Sequence, residues 1–213
     1  MFAAGTETSS TTTEWAMAEM MLHPHMKKKA QDELNSVVGP ERLVQETDIP
    51  NLPYLQAFVK EVFRMHPPGP LSIPRESTQA TELLGYKLPA KTRLILNVYA
   101  IHRDPSMYTN PDVFDPDRFM EHPEVSAVSG FDSFQLLPFG IGRRMCPAYK
   151  LGNLMVTLLL AHLLHSFEWL FSDGEDLEHF DMGEANFALT VCRRTPLRLV
   201  AKPKAPAFLY ETK

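Results

Sequence analysis

Apolar positions along the chain predict helices in four runs. Residues 3–22 carry Trp15, Met17, Met20, Met21 and Leu22 in their later half, which reads as a helix. Residues 25–37 put Met26, Ala30, Leu34 and Val37 on one stripe, behind Pro24, a residue well tolerated in a first helical turn. Gly39-Pro40 closes that run. A turn-rich link leads into a third helix over 54–66, which Pro67 and Pro68 stop. The fourth run, 147–166, is strongly apolar, with Pro147 expected at the first helical position.

Between the third and fourth runs the pattern changes. LSIPRES, ELLGYKL and TRLILNV, within 71–98, are short alternating or β-branched runs set apart by turn residues, and they predict a small β-region. Residues 105–138 are rich in Pro, Asp, Gly and Ser with little period, so an irregular meander is expected there. Short strands are expected around FALTV (187–191) and PLRLVA (196–201), with Cys192 beside the first. The sum is a mainly α architecture with a minor β component, in a single domain over 1–213.

Composition narrows the classes. With 213 residues and 44% hydrophobic content the chain is globular in character. A net charge of −5 argues against nucleic acid, because there is no basic excess to neutralise phosphates. Two cysteines, Cys146 and Cys192, make no disulfide framework, and neither CxxC nor HExxH suggests a zinc site. No run reaches the ~20 apolar residues of a membrane span, and the start lacks the basic and apolar segments of a secretory signal. The helical pattern is already under way at the first residues, as expected of part of a longer polypeptide.

The candidate chemistry lies in PFGIGRRMCPAYKLG, residues 138–152. A free cysteine is most often a small buried hydrophobe, and on that reading the surrounding Gly140, Gly142, Arg143 and Arg144 are incidental. A functional reading uses all of them. A helix N-terminus and nearby cations favour the thiolate that binds metal. Glycines allow a tight loop and close approach of a flat cofactor. Arginine pairs with carboxylates, and haem carries two propionates. Cysteine thiolate is one of the axial ligands haem iron accepts.

Phe139, Gly142, Arg144 and Cys146 resemble the F-x-x-G-x-R-x-C-x-G signature of the cytochrome P450 haem-thiolate monooxygenases, with Ala148 where glycine is usual. Glu61 and Arg64 in KEVFR resemble the family's E-x-x-R motif; taken alone they are a surface ion pair worth a few tenths of a kcal/mol. FDPDRF, 114–119, resembles the F-x-P-E-R-F motif, with Asp117 for Glu. AAGTETS, 3–9, resembles the distal-helix motif, where the bland alternative is a helix that happens to hold small and hydroxyl residues. The style of these motifs resembles plant microsomal members.

The resemblance implies the C-terminal part of the cytochrome P450 fold, incomplete because family members run about twice this length or more. It implies haem b with Cys146 as iron ligand, Arg144 and Arg75 at the propionates, Phe139 beside the ligand and Gly142 shaping the loop. Glu61, Arg64 and Arg118 become a triad that holds this loop. Gly5 lets O2 sit against the helix, while Thr8 and Glu7 help deliver protons. Pro70–Pro74 and Phe187, Ala188 and Leu189 line the substrate pocket. The implied reaction inserts one oxygen atom from O2 into a small hydrophobic substrate, with electrons from NADPH-cytochrome P450 reductase, at the cytoplasmic face of the endoplasmic reticulum membrane. The membrane anchor is expected ahead of these residues, and the isolated part is expected to be inactive. Lys27, Lys28 and Lys29, with Arg143 and Lys150, are a candidate docking patch for that reductase; the alternative is a solvated face. A hydroperoxide isomerase or dehydratase of the same haem-thiolate type is the second enzyme reading, disfavoured by Thr8 and Glu7. A non-catalytic truncated remnant is the third. The other histidines, His102 and His165 among them, are assigned to surface or core.

Overall fold

The computed structural model describes residues 2–128, 134–172, 177, 179–185 and 190–210. Six α-helices carry most of this: α1 (Phe2–Leu22), α2 (Pro24–Val37), α3 (Pro53–Met65), the short α4 (Val98–Ile101) and α5 (Asp117–Glu121), and α6 (Tyr149–Ser166). Three two-stranded antiparallel ladders accompany them among the described residues. They are β1 (Arg75–Glu76) with β4 (Arg93–Leu94), β2 (Thr81–Leu83) with β3 (Tyr86–Leu88), and β5 (Phe167–Phe171) with β6 (Leu199–Pro203). The architecture is mainly α with a minor β component.

Helices α1, α2, α3 and α6 pack on one another around one core. Trp15 and Met20 of α1, Leu34 of α2, Leu55 and Phe58 of α3, and Leu160 and Leu164 of α6 are fully buried there. Each such side chain contributes about 1.5–3 kcal/mol by leaving water. The stripe expected on α2 holds, with Ala30 and Leu34 buried and Met26 and Val37 packed at the core edge. In α1 the second half is buried nearly all round, from Thr11 to Met21, whereas Ala4 to Glu7 face solvent.

Local chemistry fixes the joints. The carboxylate of Glu33 in α2 accepts from the Tyr54 and Leu55 amides at 2.8 and 2.9 Å. It thereby satisfies two of the orphan donors at the start of α3, behind Pro53 at the first turn. The Trp15 indole donates to the Val191 carbonyl at 3.0 Å, and the Leu197 amide donates to Glu14 at 2.8 Å, so α1 holds the C-terminal tail. Asn97 caps α4 by accepting from the Ala100 amide at 3.0 Å.

Some expectations need correction. The strands in 71–98 are shorter than the runs that announced them, because Ser72, Leu84 and Lys91 take positive φ and break the extended path. Leu84 and Gly85, both with φ above zero, form instead the two-residue turn of the β2–β3 hairpin. The second half of TRLILNV turns into α4. The meander contains one ordered helical turn, α5. FEWLF forms β5 directly after α6, a strand the sequence pattern did not announce, paired to a β6 that begins three residues after PLRLVA does. Of FALTV, Phe187, Ala188 and Leu189 lie outside the described residues, and Cys192 is not in a strand.

Candidate functional site

Helix α3 buries a carboxylate and a guanidinium completely: Glu61 and Arg64 are both 0% exposed. Burial of such a pair is tolerable only if every donor and acceptor is used. Arg64 meets this. Its Nε and Nη2 fork onto the two Glu61 carboxylate oxygens at 2.7 Å each. Nη1 donates to the His102 and Pro111 carbonyls at 2.9 and 2.6 Å, and Nη2 to the Val113 carbonyl at 3.0 Å. All five N–H donors of the guanidinium are thereby placed. Glu61 also accepts from the Asp115 amide at 2.7 Å and from Arg118 Nε at 3.2 Å. Arg118 reaches on to the Thr109 and Val113 carbonyls. The structure therefore brings Glu61, Arg64 and Arg118 together, and they gather residues 102–118 around the end of α3.

Two participants carried no sequence signal. Tyr108 lies beneath both guanidinium groups, 5.0 Å from Arg64 and 5.8 Å from Arg118, and its hydroxyl donates to the Gln135 carbonyl at 2.8 Å. Burial pushes its phenol up to about 12. His102, fully buried, donates from Nδ1 to the Arg64 carbonyl at 3.2 Å and accepts the Leu137 amide on Nε2 at 2.8 Å. Burial, with the charges of Arg64 and Arg103 adding to it, pushes the imidazole down to about 3, so it is neutral.

From Leu137 the chain enters the cysteine loop. The Gly140 amide donates to the Leu137 carbonyl at 3.0 Å, and the Cys146 amide closes the loop on the Phe139 carbonyl at 2.9 Å. Gly140 and Gly142 take φ of +72° and +75°, left-handed positions that cost a side-chain-bearing residue about 1–2 kcal/mol. A single 3₁₀ turn, Gly142–Arg144, precedes Cys146, which is free and half-buried. Helix α6 begins at Tyr149, not at Pro147, because Ala148 (φ −98°, ψ 22°) is not yet helical. Phe139 is wedged edge-on against Phe63 of α3, with ring centroids 5.3 Å apart, and against Gly152 of α6. A Cβ on Gly152 would stand 3.2 Å from the Phe139 ring, so the glycine is what lets α6 close on it.

Arg75, in β1, crosses to this loop and donates to the Ile141 carbonyl at 3.3 Å. Arg144 is exposed beside it. Among the described residues no carboxylate pairs with either guanidinium. At the start of α1, Thr8 donates its hydroxyl to the Ala4 carbonyl at 2.7 Å, and Gly5 and Glu7 are exposed. Helix α1 packs against α6, but no hydrogen bond or ion pair joins Gly5, Glu7 or Thr8 to the cysteine loop among the described residues. Residues 70–74 run between α3 and β1 with Leu71 and Ile73 exposed. The lysine run is not a free basic patch: Lys27 pairs with Glu168 at 2.9 Å, Lys28 with Asp32 at 2.8 Å and Lys29 with Asp117 at 2.6 Å.

This arrangement fits a haem. Among the described residues no three His, Cys, Asp or Glu side chains converge on a metal position, so Cys146 offers one sulfur ligand, which suits a metal whose other ligands come with its own macrocycle. The Arg75 and Arg144 guanidinium groups, which pair with no carboxylate among the described residues, fit two propionates.

The family model described as Cytochrome P450 matches residues 1–196. The chain is 46% identical over 213 residues to a flavonoid 3'-monooxygenase of Oryza sativa subsp. japonica, covering 99% of this chain and 40% of that protein. It is 43% identical over 210 residues to a flavonoid 3',5'-hydroxylase of Eustoma exaltatum subsp. russellianum, covering 99% and 41%. A dimethylnonatriene synthase of Zea mays is 45% identical over 211 residues, covering 99% and 39%. Among solved structures, a zebrafish cytochrome P450 with abiraterone superposes with a TM-score of 0.83 at 31% identity, over 95% of this chain and 45% of that one. The chain thus spans about two fifths of the length of these curated relatives.

Proposed function

Because the chain belongs to the cytochrome P450 family, we propose that its 213 residues are one partial domain that holds haem b and supplies the oxygen-activating residues of a monooxygenase. The observation that carries this is the cysteine loop: one free thiol, two left-handed glycines, and the Arg75 and Arg144 guanidinium groups, which pair with no carboxylate among the described residues.

In this reading Cys146 would ligate the iron, and Arg75 and Arg144 would take the propionates. Glu61, Arg64 and Arg118 do no chemistry; they hold the loop at fixed distance from α3. Bound haem supplies activation of O2 at a thiolate-ligated iron. One oxygen atom enters the substrate and the other leaves as water, with two electrons from NADPH through its P450 reductase. Thr8 and Glu7 hold and pass the protons this requires. Among the described residues nothing lies within 4 Å of the place a Cβ on Gly5 would take, so packing there does not demand a glycine. The named relatives act on different molecules, so the proposed substrate is stated as a small hydrophobic organic compound. The proposed place is the cytoplasmic face of the endoplasmic reticulum membrane. Among the described residues no helix is long and apolar enough to cross a membrane.

The test is isotopic. With these residues in a full-length polypeptide, haem-loaded protein given reductase, NADPH and heavy-isotope dioxygen is expected to give product carrying one labelled oxygen. Thr8→Ala is expected to keep consuming NADPH while forming several-fold less product. Product that carries no oxygen from dioxygen, or conversion of a hydroperoxide without O2 and NADPH, would favour the isomerase or dehydratase reading.

A further inference from the structure

We propose that His102 is a positioning residue for the cysteine loop, a neutral imidazole that ties the root of the loop to the end of α3. The inference rests on the haem-thiolate reading above, but its observations are independent of it. His102 sits at the C-terminal cap of α4, its own amide donating to the Val98 carbonyl at 2.9 Å. Its side chain is fully buried and both ring nitrogens are used.

The bonds form a continuous path. The Arg64 carbonyl accepts from Nδ1, and Nε2 accepts from the Leu137 amide. The Leu137 carbonyl accepts from the Gly140 amide, and the Phe139 carbonyl accepts from the Cys146 amide. The path also closes on itself, since Arg64 Nη1 donates to the His102 carbonyl at 2.9 Å. The pattern demands one tautomer, with the proton on Nδ1, because the Arg64 carbonyl can only accept and the Leu137 amide can only donate. A charged imidazole would put a second donor against the Leu137 N–H. Without the imidazole, that amide would be a buried donor with no partner in a segment where Leu136 and Leu137 are each 1% exposed.

The ring separates into two replaceable halves. His102→Gln puts an amide near the Nε2 position and keeps an acceptor for Leu137. His102→Asn reaches only the Nδ1 position, keeping the Arg64 bond and losing the Leu137 bond. Amide hydrogen exchange at Leu137 is measured first in the unmodified protein, then in both variants, with the Soret band of the reduced, CO-bound haem protein as the second reading. The unmodified Leu137 amide is expected to exchange at least a hundredfold more slowly than an open-chain amide. His102→Asn is expected to speed that exchange at least tenfold and to lower the thiolate-type fraction of the CO complex, while His102→Gln retains both. Fast exchange at Leu137 in the unmodified protein overturns the proposal without any variant. So does equal behaviour of Asn and Gln, which would make His102 a packing residue only. A Cys146→Ser control that keeps the thiolate-type band overturns the haem-ligand reading instead, so the two failures are told apart.

Discussion

At the residue scale, the buried Glu61–Arg64 pair is the most demanding feature of the molecule. Truncating Arg64 to alanine removes the bidentate partner of the buried Glu61 carboxylate and leaves it only the longer Arg118 contact at 3.2 Å as an ion pair, and the expected cost is about 3–5 kcal/mol in denaturant unfolding. Arg64→Lys is expected to recover little, because an ammonium cannot place donors on Glu61, His102, Pro111 and Val113 together. His102 sets an acid limit. Its folded value is about 3, against 6.5 for an ordinary histidine. Below pH 6.5 the unfolded chain takes up a proton that the folded chain refuses. Stability held above that pH is therefore lost as the pH falls towards 3, by about 1.4 kcal/mol per unit from this group. Unfolding free energies measured across this range are expected to show that slope, and to lose it in His102→Gln. The sequence pointed to the Glu61 and Arg64 positions only through motif resemblance, since an i, i+3 ion pair looks the same on a surface. His102 and Tyr108 were not legible at all, because a lone ring acquires its meaning from partners 27 to 38 positions away.

At the element scale, helices were legible where an apolar stripe or a proline marked them, as in α2, α3 and α6. The β-region was legible as a region but not by strand, since its ladders depend on left-handed residues such as Leu84 that no propensity favours there. β5 follows α6 without a break, and its apolar residues continue the helical run, so only pairing with β6 reveals it. The glycines divide by mechanism. Gly142→Ala meets no neighbouring atom among the described residues, so its expected cost of about 1–2 kcal/mol is backbone strain, read as a lower melting temperature. Gly5→Ala, in open helical space, is expected to leave stability unchanged or raise it by up to about 1 kcal/mol. A loss of product with that variant then reports on oxygen chemistry and not on folding.

At the scale of the whole molecule, α6 buries Val156, Leu160 and Leu164 on one face while Leu151, Met155 and Leu159 stand 60%, 50% and 43% exposed on another. An apolar stripe of this kind drives association in water. The 213-residue chain is expected to self-associate in sedimentation velocity, and Leu151→Glu with Met155→Glu to shift it towards monomer. The same surface explains why the run 147–166 read as apolar throughout and why the sequence did not say which face was inner.

The central claim is that Cys146 is the sulfur ligand of a haem. The direct measurement is the absorption spectrum of the haem-loaded, reduced, CO-bound protein, taken for the unmodified chain and for Cys146→Ser. The expected result is a red-shifted, thiolate-type Soret band that Cys146→Ser abolishes. A band that survives in Cys146→Ser, or haem that binds equally well with no such band in either protein, would contradict the account.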